Sequence, residues 1–576
     1  MTFHFKIRKN VMLEMRDGVS LCADIFLPDD SAKHPAILIR SYGKERVSAR
    51  FTMIYPLLSA GYVVVNSDLR GRGKSGGHWD PSQNPYVEGR DGYDSVEWIA
   101  AQSWCDGNVG MAGLSHMGSF QWYTAIEQPP HLRAIAPWTT DFNTMYVPPR
   151  TGGVISFLTT MIWLPNELKD RLDRLEKAGQ DVTEMRRWLQ WSRDNPQDFY
   201  SFLPLNEVPL ARFESINEIL KWRLHPLPQT ELEKLRRYER IMVPCFHACG
   251  WFDGVGWVTF ENFNAMRQKG GSESSRNGQY IVAGPWPHTE DFQAGLGDFY
   301  FGVQADSAGS KIYQSQIDFF DKYLRGKDID IPCVRYFLMG ENRWHTSETW
   351  PPAQVKWQRF YFHSEGKSNT CNGNGTLTRD QPHDEPPDIF DYDPLYPVPT
   401  LGGALIGALS VPGIVAGPID QHSVEKRFDV LCYTTPELTE EMEITGPLQV
   451  HLFASTSVVD TDFTAKLCLV YQDGRSFNLA DGIIRARGRH LNKTPDFVKP
   501  GEINEYIITL GNTSQLFRQG QRIRIQISSS NFPAFDRNMN TGHAIGEDAI
   551  GSTARQTVYH QSEFASFIDL PVITKK

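Results

Sequence analysis

A serine in the first quarter of the chain has the sequence setting of a nucleophile. Ser115 lies in the glycine-rich stretch Gly-Met-Ala-Gly-Leu-Ser-His-Met-Gly of residues 110–118, and residues 120–127 are predicted to form a helix. A serine hydroxyl is best activated on a sharp strand-to-helix turn, where it is exposed and small neighbours relieve the crowding. The second glycine usual for this turn is missing, because Met117 stands two residues after the serine and Gly118 follows. Glycine-rich helix packing would explain the stretch taken alone.

An aspartate and a histidine later in the chain could complete a proton relay with this serine. Asp253 follows the apolar run 243–248, and His288 follows the apolar run 280–283. The order Ser, Asp, His is that of α/β-hydrolase triads, in which the histidine takes the serine proton and the aspartate fixes the imidazole. Taken alone, the aspartate could be a turn residue before glycine and the histidine an ordinary loop residue. Their shared order and placement favour Ser115, Asp253 and His288 as catalytic residues.

Two further groups could stabilise the negative charge that such a reaction develops on a substrate oxygen. Tyr42 follows the strand predicted to end near Arg40, at the position from which hydrolases supply an oxyanion donor. The backbone N–H of His116, directly after the candidate nucleophile, would be the second donor. A buried aromatic at a strand end is the alternative interpretation of Tyr42.

Apolar runs and helical patterns alternate around these residues, which is typical of a parallel sheet covered by helices. The runs include residues 36–39, 62–65 and 134–136, and a helix is predicted over 93–102. Ligands bind beyond the carboxyl ends of parallel strands. Residues that follow successive strands are therefore expected to meet in one crevice.

The α/β pattern is interrupted once and later replaced. Residues 166–177 carry leucines at helical spacing, and a second helix is predicted over 183–191, so a helical insertion is expected. Beyond about residue 350, apolar and polar residues alternate, as at Ile523, Ile525 and Ile527. This period of two is typical of an antiparallel sandwich or jelly roll.

Composition excludes several classes of protein. The chain of 576 residues has a net charge of −10 and lacks the basic stripe of a nucleic-acid-binding protein. Its longest weakly polar stretch, residues 402–417, is too short to span a bilayer, and no signal segment opens the sequence. The eight cysteines are scattered, which favours free thiols in a reducing compartment. A cytoplasmic location is therefore expected.

One group of residues could suggest a metal site. Cys245 and Cys249 flank His247, but their spacing matches no common zinc pattern and the segment is predicted to be a buried strand. Dependence on a metal is a third alternative, which activity in the presence of a chelator would exclude. No metal and no cofactor is expected.

The motifs together resemble the CocE/NonD (cocaine esterase) family of hydrolases, which is related to X-Pro dipeptidyl-peptidases and α-amino acid ester hydrolases. The resemblance is carried by Trp-Cys-Asp-Gly-Asn-Val-Gly-Met-Ala-Gly-Leu-Ser (104–115), Gly-Trp-Phe-Asp-Gly (250–254) and Gly-Pro-Trp-Pro-His (284–288). Val-Asp-Thr-Asp-Phe-Thr-Ala-Lys-Leu (459–467) and Ser-Ser-Ser-Asn-Phe-Pro (528–533) match as well. The likeness covers nearly the whole chain and is weakest in the helical insertion.

This resemblance implies an α/β-hydrolase fold with an inserted helical cap and a C-terminal β-sandwich of the jelly-roll type. The expected limits are 1–141 and 238–349 for the two parts of the hydrolase domain, 142–237 for the cap and 350–576 for the jelly roll. The cap and the jelly roll are expected to form walls of the acyl pocket.

The resemblance also implies roles for individual residues. Ser115, Asp253 and His288 would form the triad, and Tyr42 with the His116 amide would form the oxyanion hole. The residues expected to line the substrate pocket are Trp138, Trp251, Phe252, Val255, Leu405 and Ile406.

The sequence thus predicts a serine hydrolase that cleaves carboxylic esters through an acyl-enzyme intermediate. Hydrolysis of amides or peptides, or acyl transfer, by the same triad is the alternative. A non-catalytic binding protein is the rival from another class. The expected partner is a small-molecule ester or amide substrate, with no nucleic acid and no membrane, and the surface of a three-part chain permits a homodimer.

Overall fold

The structure is a computed structural model, and its described residues are 4–43, 52–79, 85–140, 142, 151–224, 233–407, 413–491 and 493–574. Strands that precede residue 350 build a first sheet and a separate two-stranded hairpin. In chain order they are β1 (Phe5–Glu14), β2 (Ser20–Pro28), β3 (His34–Ser41), β4 (Val63–Asp68), β5 (Cys105–Leu114), β6 (Leu132–Trp138), β7 (Cys245–Phe252), β8 (Gln279–Pro287), β9 (Gly295–Leu296), β10 (Phe299–Tyr300), β11 (Val334–Leu338) and β12 (Arg343–Ser347). The hairpin consists of β9 and β10.

The first sheet has the strand order β1-β2-β4-β3-β5-β6-β7-β8-β11-β12 in the described part of the chain. Neighbours from β4 to β11 are parallel, whereas β1, β2 and β12 pair in the antiparallel sense. Alternate residues of β3 enter opposite cores, Ala36 and Leu38 on one face and Ile37 and Ile39 on the other. Burial on both faces explains the continuous apolar runs of the sequence.

Helices cover this sheet and build the insertion. They are α1 (Ile54–Ser59), α2 (Pro85–Ala100), α3 (His116–Ile126), α4 (Phe157–Lys177), α5 (Thr183–Asp194), α6 (Pro196–Ser201), α7 (Glu214–Leu224), α8 (Gly256–Lys269), α9 (Glu273–Asn277) and α10 (Ile312–Arg325). Short 3₁₀ turns lie at Leu205–Glu207, Pro209–Arg212, Tyr238–Arg240, Val303–Ala305 and Ala486–Gly488. None of these helices is long and apolar enough to cross a membrane, as far as the described residues extend.

The predicted helices are confirmed, with differences at their starts. Helix α2 begins before residue 93, because its first turns bury the charged residues Glu88 and Asp91 and so lack an apolar pattern. Helix α3 begins directly after Ser115 rather than at residue 120. The serine therefore occupies the N-cap position of the helix.

The insertion folds around a core of its own. Leu168 and Leu172, predicted to share a helix face, are buried in one cluster with Leu189 and Leu220. Trp79 is buried in the same cluster, and Tyr42 packs against it. The helical cap therefore lies on the loops that follow β3 and β4, at the carboxyl edge of the sheet.

A second sheet follows residue 350. Its strands are β13 (Lys356–His363), β14 (Thr376–Thr378), β15 (Asp388–Tyr392), β16 (Leu431–Thr434), β17 (Met442–Thr456), β18 (Asp462–Val470), β19 (Ser476–Arg485), β20 (Asn504–Phe517), β21 (Arg522–Ser528), β22 (Ala554–Tyr559) and β23 (Phe567–Ile573). Their order in the described part of the chain is β15-β22-β17-β23-β13-β14-β16-β21-β18-β19, and β20 also pairs with β17. Ile523, Ile525 and Ile527 share one core, as their alternation predicts. The combination of an α/β domain, a helical cap and a C-terminal β domain is confirmed.

A buried ion pair holds the end of β3, next to Tyr42. Arg40 is 1% exposed, and its guanidinium donates to Glu88 Oε2 at 2.8 Å and to the Glu88 carbonyl at 2.5 Å. Burial raises the pKa of the Glu88 carboxyl above its ordinary value, and the charge of Arg40 opposes that rise. Removing the guanidinium would leave a desolvated carboxylate without its cation, which is more costly than losing the whole pair.

We expect Arg40→Met to lower the free energy of unfolding by about 3–5 kcal/mol, the cost typical of breaking a buried ion pair. The double variant Arg40→Met/Glu88→Leu should recover most of this loss, because it removes the uncompensated carboxylate as well. Thermal unfolding midpoints at one matched scan rate would measure both effects. A single variant as stable as the parent, or a double variant no better than the single one, would contradict the prediction.

Candidate active site

Ser115 lies on the turn between β5 and α3, beyond the carboxyl edge of the first sheet. Its φ of 61° and ψ of −129° belong to a region that non-glycine residues rarely populate, and its N–H donates to the Trp138 carbonyl at 2.9 Å. Gly113 precedes it with a φ of 152°, and a Cβ at Gly113 would lie 2.5 Å from Met117 Cβ. The turn therefore has the strained strand-to-helix geometry that exposes a serine hydroxyl.

Gly118, which stands three residues after Ser115 instead of the usual two, has a packing function. A Cβ on Gly118 would lie 2.3 Å from Thr140 Cγ2, so α3 approaches the loop after β6 only with glycine at this position. The hydroxyls of Ser119 and Thr140 are hydrogen-bonded at 2.9 Å, which ties the same two segments together. Met117, at the usual glycine position, instead lines the cavity in front of Ser115.

Asp253 and His288 are hydrogen-bonded to each other. His288 Nδ1 lies 3.0 Å and 2.9 Å from the two carboxylate oxygens. Asp253 is 3% exposed, and the Val255 N–H donates to its Oδ1 at 2.9 Å. The two residues follow β7 and β8, which are neighbouring parallel strands. A carboxylate on Nδ1 fixes the tautomer of the imidazole and leaves Nε2 to exchange a proton.

The charges around His288 stabilise its protonated form. Burial lowers the pKa of the imidazole, but the charge of Asp253, the hydrogen bond to it and the charge of Glu290 together raise that pKa above its ordinary value. Glu290 lines the same cavity as His288. Such an imidazole is a stronger base than free histidine, as removal of a hydroxyl proton requires.

Ser115 and His288 open into one cavity of about 520 Å³. In the described part of the structure, no hydrogen bond joins Ser115 Oγ to His288 Nε2. Catalytic hydrogen bonds of this kind often tighten only when the substrate binds. All three parts of the chain contribute walls, among them Ser41, Tyr42, Met53, Leu114 and Met117 from the sheet edge, Ile162, Trp163 and Asn166 from the cap, and Leu405, Ile406, Gly407, Ile414, Val415 and Ala416 from the C-terminal domain.

Tyr42 and His116 lie side by side on the wall of this cavity. Their ring centroids are 4.2 Å apart, and the ring planes are inclined by 47°. Tyr42 also contacts Trp163 of the cap, at a centroid distance of 6.0 Å, and Arg72 lies 5.1 Å from its ring centre. His116 is the first residue of α3, where backbone N–H groups have no acceptor within the helix. Both oxyanion candidates therefore adjoin the turn that carries Ser115.

Two of the six predicted pocket residues, Leu405 and Ile406, line this cavity. The other four do not line it and are at most 6% exposed, namely Trp138, Trp251, Phe252 and Val255. The three aromatic residues pack within the hydrophobic cores on either side of the first sheet. Val255 contributes through its backbone, since its N–H holds the Asp253 carboxylate.

The cap residues of the cavity were not predicted from the sequence. Ile162 and Trp163 belong to α4, and the helical pattern detected in this region begins only at Asn166. An extended helix with an apolar turn before that pattern could have indicated them. The apolar face of a helix shows that it is buried, but not against which partner.

The predicted strand around His247 is confirmed. His247 is fully buried in β7, and its Nε2 lies 2.9 Å from Gln279 Oε1. Burial lowers the pKa of its imidazole to about 4. His247 is therefore a neutral core residue, and the cysteines on either side of it are not in disulfides.

A different cluster has side chains that metals bind. Cys371, His422 and Glu425 bring one ligand atom each to within 4.8 Å of one another. The Glu425 carboxylate already accepts hydrogen bonds from Arg524 Nη1 at 2.5 Å and from Gln526 Nε2 at 2.7 Å. Because a cation would have to displace this guanidinium, we assign no metal to the cluster.

Two protein families match successive parts of the chain. Residues 17–290 match the X-Pro dipeptidyl-peptidase (S15 family), and residues 329–569 match the X-Pro dipeptidyl-peptidase C-terminal non-catalytic domain. The first match contains Ser115, Asp253 and His288. The second covers most of the C-terminal β domain.

Proteins that match the chain over its whole length identify its family more closely. The chain is 34% identical to cocaine esterase from Rhodococcus sp. (strain MB1 Bresler) over 594 residues, which cover 99% of both chains. An aminopeptidase from the marine sediment archaeon Thaumarchaeota archaeon has a TM-score of 0.77 at 23% identity, with 99% of this chain and 97% of that chain covered. An α-amino acid ester hydrolase has a TM-score of 0.76 at 24% identity, with 99% and 96% covered. These two solved structures show the fold. The chain belongs to the CocE/NonD family of α/β-hydrolases, and it is a serine hydrolase of carboxylic esters.

Proposed function

We propose that Ser115, His288 and Asp253 form the catalytic triad of this esterase. Ser115 Oγ attacks the acyl carbon of the ester while its proton passes to His288 Nε2. The imidazolium returns that proton to the leaving alcohol, and the acyl group stays on the serine. A water molecule deprotonated by His288 then attacks the acyl-enzyme, which releases the carboxylic acid and restores the serine.

The observation that carries this proposal is the position of the Asp253–His288 pair. Its hydrogen bonds of 2.9 Å and 3.0 Å orient the imidazole at the cavity that Ser115 also lines. The three residues follow β5, β7 and β8, so the parallel sheet itself brings them to one edge. The raised pKa of His288 suits a general base, because the positive charge it takes up is stabilised beforehand.

For the oxyanion hole we propose the Tyr42 hydroxyl and the His116 backbone N–H. A donor that is aimed at the developing oxyanion contributes only as the tetrahedral intermediate forms. Packing against His116 and Trp163 restrains the Tyr42 ring, so that the hydroxyl needs little reorganisation during the reaction.

The walls of the cavity favour an ester with an apolar acyl or alkyl group. Leu114, Ile162, Leu405, Ile406 and Val415 present hydrocarbon surface to the space in front of Ser115. Burying such a group contributes on the order of 25 cal/mol per Å² of apolar surface. A relative named for hydrolysis of the cocaine ester supports the choice of an ester over an amide.

Three further expectations complete the proposal. The eight thiols form no disulfide in the structure, which supports a reducing, cytoplasmic compartment.

The domain limits 1–141, 142–237, 238–349 and 350–576 remain predictions, as does a homodimer. Gel filtration with light scattering would decide the oligomeric state.

The nucleophile is tested by covalent labelling. A fluorophosphonate should add to one serine per chain, and peptide mass mapping should place the adduct on Ser115. Ser115→Ala should take up no label and lose on the order of a millionfold in kcat, as expected when a triad nucleophile is removed. The neighbouring Ser119→Ala is a matched control that should still be labelled. An adduct on another serine would remove Ser115 from the mechanism.

Tyr42→Phe should lower kcat for a simple aryl ester by on the order of a hundredfold or more, the effect typical of losing one oxyanion donor. The ring and its packing stay in place, so KM should change much less. Tyr62→Phe is a suitable control, because that hydroxyl donates to Asp321 outside the cavity. Unchanged turnover in Tyr42→Phe would exclude its hydroxyl as an oxyanion donor.

The pH dependence of kcat/KM should show how the charges around His288 shift its pKa. The neutral imidazole is the active base, so activity should rise with pH through a midpoint above the ordinary histidine pKa. Glu290→Gln removes one of the negative charges that raise this pKa and should therefore shift the midpoint to lower pH. Glu437→Gln, at a residue that pairs with Arg522 and does not line this cavity, should not shift it. A midpoint that is unmoved in Glu290→Gln would show that Glu290 does not act on the base.

A further inference from the structure

A second cavity lies where helix α8 meets the C-terminal β domain. Its volume is about 430 Å³, and its lining includes three tryptophans, namely Trp257, Trp350 and Trp357. Trp357 is 54% exposed, whereas Trp350 is buried in the aromatic cluster behind the cavity. A large aromatic surface that stays exposed beside a cavity is typical of a recognition site.

One face of α8 builds the first wall. Trp257, Phe260, Glu261 and Asn264 have the spacing of one helix face, and all four line the cavity. On the opposite side Gly511 of β20 lies close to the tryptophan, because a Cβ there would be 3.3 Å from Trp257 Cβ. Because position 511 has no side chain, the β20 backbone approaches Trp257 closely at the cavity wall.

Carboxamide groups on the wall keep hydrogen-bonding capacity for a ligand. Asn512 Oδ1 accepts from the Trp350 indole at 2.8 Å, and the Asn264 amide donates to the Trp350 carbonyl at 3.1 Å. The Asn512 NH₂ and the Asn264 Oδ1 have no hydrogen-bond partner among the described residues. Gln449 reaches Thr509 only at 3.5 Å. Donors and acceptors are thus both available beside the aromatic rings.

Each of the two carboxylates on the wall has an arginine within ion-pair distance. Asp569 accepts two parallel hydrogen bonds of 2.9 Å from Arg359. Glu261 lies 3.7 Å from the Arg236 guanidinium, which also donates to Glu233 at 2.9 Å. A quaternary ammonium site would instead need aromatic rings with an uncompensated negative charge nearby. The charge balance of this cavity therefore favours a neutral ligand.

We propose that this cavity is a binding site for a neutral oligosaccharide, separate from the ester-cleaving cavity. The apolar face of a pyranose ring would lie against the Trp257 and Trp357 indoles, and its hydroxyls would bond the Asn264, Gln449 and Asn512 amides. An apolar platform combined with a few placed polar groups is the usual composition of a small-ligand site. Such a site would hold the esterase on a polysaccharide.

Isothermal titration calorimetry of the full-length protein tests the proposal, with cellohexaose, xylohexaose, maltohexaose and the hexamer of N-acetylglucosamine as probes. At least one should bind saturably. Trp357→Ala should weaken that binding on the order of tenfold or more, because it removes an exposed stacking surface. Tyr396→Ala, which deletes an aromatic ring that is 72% exposed outside this cavity, should leave it unchanged.

Thermal unfolding and turnover of a small aryl ester serve as folding controls, and both should be unchanged in Trp357→Ala. If Trp357→Ala is unfolded, Gln449→Ala replaces it as the test variant, and it too should weaken oligosaccharide binding. Absence of binding by all four probes would overturn the proposal, as would binding that Trp357→Ala and Gln449→Ala leave intact. Binding of tetramethylammonium in place of the sugars, lost in Trp357→Ala, would identify a cation site and would also overturn it. None of these outcomes depends on the identity of the catalytic serine.

Discussion

The buried hydrogen bond between Asp253 and His288 is the contact on which the proposed active site depends. A carboxylate that is 3% exposed is costly to desolvate, and here the imidazole and the Val255 N–H compensate it. The strands that carry the two residues must approach closely. A Cβ on Gly250 would lie 1.9 Å from the Trp286 carbonyl oxygen, so only glycine permits this register between β7 and β8. Gly250 is thus a condition of the proposed acid–base pair and not merely a turn signal.

The same reasoning explains the unusual form of the motif around Ser115, the proposed nucleophile. A non-glycine residue at a φ of 61° persists only when its surroundings fix it. Ser115 is fixed from both sides, because its N–H donates to the Trp138 carbonyl and Gly118 lets α3 press against Thr140. Moving the second glycine by one position keeps this close contact and places the Met117 side chain in the cavity wall. With this departure from the common motif, the strained turn at Ser115 is kept and Met117 becomes part of the cavity wall.

Much of this arrangement could be predicted from the sequence, because it depends on strand order. Ser115, Asp253 and His288 each follow an apolar run, and parallel strands bring such positions to one edge whatever the loops between them do. The pocket depends on the direction of single side chains and on the contact between domains. Trp251 and Phe252 stand next to Asp253 in the chain, yet both enter the core behind the sheet. Ile162 and Trp163 reach the cavity only because α4 packs over Tyr42, which no local pattern specifies.

The C-terminal domain completes the cavity in front of Ser115. Leu405 and Ala416, which line this cavity, pack with Leu158 of the cap in a small apolar cluster. Asp536 ties the same two domains together, since its carboxylate accepts from the Ile155 N–H at 2.7 Å. Hydrogen bonds to a developing oxyanion are strong only where water is excluded. In the proposed mechanism the packing of cap and β domain therefore supports the oxyanion hole by shaping the cavity in front of Ser115, although neither contributes a residue of the proposed triad. Substitutions in the cap and in the C-terminal loops that line the cavity can therefore change which ester is accepted. The proposed triad at the edge of the sheet stays the same.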